Sequence, residues 1–227
     1  MPIRTIFLDA GGVLIFPNWN RVSDVLAGHG VPVSGDALRH GEPAAKFAID
    51  QGDHVTRQAD APRGWIYLNR VLDNAGVPRS AAVDAALDEL GAYHTAHNLW
   101  EHVPDDVVPA LEKLAATGRQ LVVVSNANGT VERVLERLGL ARYFEVICDS
   151  CVEGVEKPDP RFFEIALARA GAAATTTVHV GDLYHIDVLG ARAAGLQAIL
   201  IDPHDLYSGY ACPRARTLDE VVTLMTG

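Results

Sequence analysis

Apolar, β-rich runs recur along this chain: Ile6-Phe7-Leu8, QLVVVS (120–125), FEVICD (144–149), TTVHVGD (176–182) and QAILID (197–202). None shows the polar alternation of a half-exposed strand, so each reads as a strand covered on both faces. Helical patterns lie between them at 105–118, 129–140, 159–172 and 185–196. Gly118, Gly139, Gly171 and Gly195 stand where these helices should end, as C-caps. The alternation predicts an α/β fold, a doubly wound, Rossmann-like parallel sheet with helices on both faces. Open sheets of this kind bind ligands beyond the carboxyl ends of their strands. The polar residues of the apolar runs fall at that end: Asp9 after the first, Ser125-Asn126 closing the second, Gly181-Asp182 closing the fourth.

Residues 16–98 interrupt the alternation with helical patterns and no strong strand, punctuated by Gly30, Pro32, Gly76 and Pro78. The predicted organisation is an α/β core from 1–15 and 99–227, with an all-helical cap domain, 16–98, inserted after the first strand.

The formal net charge is −10 and there are three lysines, Lys46, Lys113 and Lys157. Such a surface repels polyanions, so neither nucleic acid nor an anionic membrane is expected as a partner. A small anionic substrate stays compatible, because one local cation can oppose the global field. No apolar run has the length of a membrane span or a signal peptide, and three cysteines suit reduced thiols better than a disulfide framework. A cytoplasmic location is the expectation. Cys148 and Cys151 form a C-x-x-C, but it leaves a strand for a loop rather than opening a helix, and Cys212 is distant.

Four stretches carry the chemistry: DAGGVL from Asp9, VVVSNANG around Ser125, EKPDPRFFEIAL with Lys157, and VGDLYHIDVLGARAAGL with Asp182 and Asp187. A carboxylate can attack phosphorus to give an acyl phosphate that water then hydrolyses. Two anions must approach for this, which calls for a divalent cation. Asp9, Asp182 and, in support, Asp187 offer hard oxygen ligands of the kind Mg²⁺ takes. Lys157 would keep Asp9 ionised and neutralise the phosphoryl group. Ser125, Asn126 and nearby backbone N–H groups would donate hydrogen bonds to its oxygens.

Together these four motifs resemble those of the haloacid dehalogenase-like hydrolase superfamily, in its subgroup with a helical cap inserted after the first motif. The resemblance spans the chain. It implies Asp9 as nucleophile and Mg²⁺ ligand, Ser125 and Lys157 as holders of the phosphoryl group, Asp182 as a metal ligand and Asp187 as its support. The backbone carbonyl of Gly11 would be a further ligand. The implied substrate is a small phosphorylated metabolite.

The chain departs from the pattern at Gly11. Phosphatases of the family carry a second aspartate there, which protonates the leaving alkoxide and then activates water. Three readings follow. The chain is a phosphohydrolase whose proton donor lies elsewhere, with His185 nearest in sequence, or whose leaving group needs none, as in an acyl or aryl phosphate. Alternatively, it cleaves carbon–halogen or carbon–phosphorus bonds. Asp182 opposes the metal-free dehalogenase branch, and Lys46 is the cap lysine available to a phosphonatase. In the third reading the fold is a binding or regulatory module without turnover. His94, His97 and His102 read as a hinge segment rather than a metal site, and Trp19, Arg21, Arg39, Trp65 and Tyr67 are cap residues with no assigned role.

Overall fold

The structure is a computed structural model that describes residues 2–51 and 60–226. The chain divides into two compact units, one of Met1–Phe16 with Val103–Gly227 and one of Pro17–His102.

The first unit is built on a six-stranded sheet. Its strands are β1 (Thr5–Leu8), β4 (Gln120–Ser125), β5 (Val146–Asp149), β6 (Thr177–Gly181), β7 (Gln197–Ile201) and β8 (Arg214–Ala215), in the order β5-β4-β1-β6-β7-β8. Every pairing is parallel. All four residues of β1 are buried, as its apolar run requires of a strand with neighbours on both edges. The expected strand at 144–149 is shorter at its start, and the two-residue edge strand β8 carries no apolar run by which sequence could find it.

Register decides where the polar ends meet. Leu8 lies opposite Val123 of β4 and Val180 of β6, so one residue further Asp9 is level with Val124 and Gly181. Ser125 and Asp182 each lie one step beyond, at about 3.3 Å per residue. The chain runs outward in both directions from β1, which puts the switch in strand order at this end of this strand.

Helices Val107–Ala116, Val131–Arg137 and Pro160–Ala170 fall within their predicted ranges. Gly118, Gly139, Gly171 and Gly195 all hold positive φ past the helix ends, a conformation only glycine adopts at little cost. The pattern at 185–196 resolves differently. It opens with a π-type turn, Tyr184–Val188, and only then continues as the α-helix Leu189–Ala193.

The second unit contains helices Trp19–Gly28, Gly35–Ile49, Asp60–Asn74 and Ala81–His97. Asn18, Ser34 and Ser80 cap three of them, each side chain accepting the backbone N–H three residues on. Its core is Trp19, Val22, Leu26, Leu38, Val71 and Leu90 with their neighbours. Short strands β2 (Phe16–Pro17) and β3 (Trp100–His102) pair where the chain enters and leaves this unit. Among the described residues no helix is long and apolar enough to cross a membrane.

Candidate active site

Strand β1 ends by delivering Asp9 to a tight loop. The Asp9 N–H still donates to Val180 O (2.9 Å), continuing the sheet, while Oδ1 accepts the Ala10 N–H at 2.7 Å. Oδ2 faces Lys157 Nζ at 2.9 Å. Lys157 is wholly buried, and its main chain is clamped from β4's end by a reciprocal pair: Lys157 N–H donates to Asn126 Oδ1 (2.8 Å), and Asn126 Nδ2 donates to Lys157 O (3.0 Å). Beyond it, Pro158 packs where Gly190 has no side chain; a Cβ there would stand 3.0 Å from Pro158 Cα.

Asp187 organises the other side. Its Oδ1 accepts from Lys157 Nζ (2.7 Å) and His179 Nε2 (3.0 Å), and its Oδ2 from the N–H groups of Asp182 (3.1 Å) and Leu183 (2.9 Å). Four donors use the four lone-pair directions of one carboxylate. Asp187 is therefore committed to holding Lys157 and the Asp182 backbone, and the carboxylates of Asp9 and Asp182 lie beside it in the same cluster.

Two glycines make the approach possible. A Cβ on Gly181 would fall 2.2 Å from Asp187 Cγ, and one on Gly12 would fall 1.8 Å from Asp182 Oδ2. Gly12 also holds φ +73°, so the turn needs glycine for its backbone as well as for space. One carboxylate oxygen from each of Asp9, Asp182 and Asp187 lies within 4.8 Å of the others, and among the described residues this is the one cluster with metal-ligand spacing.

The charges are strongly perturbed. Burial raises the Asp9 carboxyl, Asp187 and Asp182 add to the rise, Lys157 opposes it, and the result is a pKa of about 6. Burial acts against Asp187 too, but Lys157 and His179 outweigh it and hold that carboxyl well below the usual range. Burial likewise opposes the Lys157 charge, and Asp187 and Asp9 overcome it, so Lys157 stays protonated. Three carboxylates cluster at this site beside the Lys157 ammonium, which contacts Asp9 and Asp187. Hard oxygen donors from three clustered carboxylates and a carboxylate seated over a glycine both fit a divalent cation.

Of the residues expected from sequence, Asp9, Lys157, Asp182 and Asp187 come together. Ser125 is buried at the carboxyl end of β4. The Asn126 side chain holds the Lys157 main chain with one N–H and its oxygen, which gives it a positioning role. Gly11 lies in a loop closed by Gly12 N–H to Ile15 O (3.0 Å) and by the Leu14 and Ile15 N–H groups to Ala10 O. The His185 ring packs against Tyr184 and Tyr210, with centroids 5.2 and 6.0 Å away, inside the π-type turn. In the second unit, His94 Nδ1 accepts the Leu99 N–H (3.1 Å), His97 stacks on Tyr93, and Trp19 and Tyr67 belong to the core. Lys46 lies in the helix Gly35–Ile49. Cys148 is buried in β5 and Cys151 exposed, and both are free thiols.

Two parts were not singled out from sequence. Asp149, at the end of β5, accepts from Gly129 and Val131 N–H and so fixes the loop after Ser125. His179 lies inside β6, wholly buried, on Asp187. A polar residue inside the apolar run TTVHVGD was the available signal.

A family profile described as haloacid dehalogenase-like hydrolase matches residues 3–195. The human haloacid dehalogenase-like hydrolase domain-containing protein 3 is 32% identical over 178 residues, 76% of this chain and 70% of that protein. A ribulose-1,5-bisphosphate 5-phosphatase of Halopiger xanaduensis is 34% identical over 143 residues, covering 62% of this chain and 59% of its own length. Among solved structures, a 2-haloacid dehalogenase from Pseudomonas syringae is similar with a TM-score of 0.60 at 26% identity, covering 99% of this chain and 100% of that one. The chain spans about half to three fifths of the length of the first curated relatives it matches.

Proposed function

This chain belongs to the haloacid dehalogenase-like hydrolases, and within that family we propose that it is a Mg²⁺-dependent phosphohydrolase acting on a small phosphorylated metabolite through an aspartyl-phosphate on Asp9. The observation that carries the reading is the Asp9 carboxylate held between the Lys157 ammonium and Asp182. In this reading Asp9 Oδ attacks phosphorus, the bond to the leaving oxygen breaks, and water then hydrolyses the acyl phosphate. Lys157 holds Asp9 ionised and neutralises the phosphoryl oxygens, and Ser125 donates to them. Asp9, Asp182 and the Gly11 carbonyl would hold Mg²⁺, with Asp187 in support; when bound, the ion supplies the charge neutralisation that lets two anions meet. The relative named as a phosphatase supports phosphoryl chemistry.

Gly11 narrows the substrate. Where the family's phosphatases keep an aspartate that protonates the leaving group, this residue has no side chain. Such proton transfer is worth about 10²–10⁴-fold. The substrates favoured are those whose leaving group departs without a proton, acyl and aryl phosphates. The likeness to a 2-haloacid dehalogenase keeps carbon–halogen cleavage as a second reading, since a halide also needs no proton. Asp182, seated against Gly12 in the acidic cluster, weighs for the phosphoryl reading. The test is a panel of alkyl, aryl and acyl phosphates, phosphonates and 2-haloacids, each with Mg²⁺ and with EDTA. Mg²⁺-dependent phosphate release, fastest from acyl or aryl phosphates, is expected. Metal-independent halide release overturns the proposal, and silence on every compound favours a binding module.

A further inference from the structure

His179 does not touch the cluster of ligand oxygens as a ligand itself, yet it is wholly buried in β6 and takes one lone-pair direction of Asp187. The contacts form a line: His179 Nε2 to Asp187 Oδ1 at 3.0 Å, the same oxygen to Lys157 Nζ at 2.7 Å, and that ammonium to Asp9 Oδ2 at 2.9 Å. An ionised carboxylate only accepts, so Nε2 carries the hydrogen. Phe163 meets the imidazole edge-on, with ring centroids 5.0 Å apart. On the far side Nδ1 is buried with no hydrogen-bond partner among the described residues. An orphaned buried nitrogen costs stability, on the order of 1–3 kcal/mol. A leucine would fill the strand position without that cost.

From this line of contacts we infer that His179 is a positioning residue for the proposed phosphoryl transfer, whose Nε2–H sets how Asp187 and Asp9 share the Lys157 ammonium. With the imidazole donating, part of the Asp187 Oδ1 charge is satisfied and Lys157 stays within reach of Asp9. Without it, Asp187 binds Lys157 more strongly and draws the ammonium away from Asp9 and from an incoming phosphoryl group.

The inference rests on the phosphohydrolase reading, and its test separates the two. In the full-length protein, long-range ¹H–¹⁵N correlation should show the hydrogen on His179 Nε2; a hydrogen on Nδ1 overturns the inference whether or not the protein turns over. Kinetics with acetyl phosphate and p-nitrophenyl phosphate in Mg²⁺ would compare wild type, His179→Leu and His179→Gln. The leucine variant should lose roughly tenfold in kcat with KM changed less than about threefold, in the range for losing a partner that orients a site's ligand. Its thermal midpoint should stay close to that of wild type, because removing the orphaned Nδ1 offsets the donor that Asp187 loses. The glutamine variant, which can present a donor nitrogen to Asp187, should recover most of kcat. A leucine variant as fast as wild type, a glutamine variant no better than leucine, or a midpoint falling in step with kcat overturns the inference alone. A wild-type protein silent on both probes overturns the phosphohydrolase reading and the inference with it.

Discussion

Replacing Asp9 with asparagine should stabilise the metal-free protein while abolishing turnover. The Asp9 carboxyl titrates at about 6 against an ordinary 3.8, because burial and the neighbouring carboxylates Asp187 and Asp182 outweigh Lys157. A difference near two pKa units corresponds to roughly 3 kcal/mol. The sign follows from proton linkage. The folded protein holds this proton more tightly than the unfolded chain does, so stability declines as pH rises through the window from 3.8 to about 6. Above that window the full cost of a buried, repelled carboxylate is present. Asparagine cannot ionise and keeps one oxygen, enough for either the Ala10 N–H contact or the Lys157 contact but not both. Some solvent reaches the side chain, which is 12% exposed, so about 1–3 kcal/mol of stabilisation at pH 8 is the expectation. For a chain of this size that is about 2–10 °C in the unfolding midpoint. The assay is thermal or urea unfolding of wild type and Asp9→Asn in EDTA from pH 4 to pH 8. The gap between them should open with pH and nearly vanish at the acid end. Added Mg²⁺ should then raise wild type and shrink the gap, because the cation removes the repulsion that asparagine removes. A gap that is flat with pH, or an asparagine variant less stable at pH 8 than at pH 4.5 relative to wild type, refutes the electrostatic argument. Undiminished phosphate release by the variant refutes the nucleophile.

Two further substitutions address how the site is held. Gly12→Ala places a methyl 1.8 Å from Asp182 Oδ2 at φ +73°, so the carboxylate must move; calorimetry should show Mg²⁺ binding lost, with about 1–2 kcal/mol of stability lost to the backbone. Lys157→Met leaves Asp9 and Asp187 buried without their cation, and urea unfolding at pH 8 should show a loss of about 3–5 kcal/mol; a loss under about 1 kcal/mol would mean that the ion pairs do not organise the site.

Much of this protein's fold is legible in its sequence. Continuous apolar runs report strands buried on both faces whatever their neighbours, and glycine at helix ends reports positive φ, because both follow from local chemistry. The residues that cap strands with chemistry, Asp9, Ser125 and Asp182, were legible for the same reason: a carboxylate or hydroxyl ending an apolar strand is locally anomalous. The edge strand β8 was not, since two residues carry no periodicity. Nor was the π-type turn at Tyr184–Val188, where the Leu189 N–H reaches back to Tyr184 O while the Asp187 carboxylate gathers the N–H groups of Asp182 and Leu183.

Sequence by itself determined the residue types available, their order, and that each would lie at one end of a strand. Tertiary structure decided which hydrogen-bonding capacity each would have left. The Asn126 amide holds Lys157's main chain through one N–H and its oxygen, and all four lone-pair directions of Asp187 are taken by this chain. His179 had a strand reading only, and the register of β6 against β1 turns it into the last member of a buried line ending on Asp9. The physical reason is range. Strand and turn preferences act over a few residues, whereas a donor finds its acceptor within about 3 Å of space, between residues that the chain separates by up to about 170 positions.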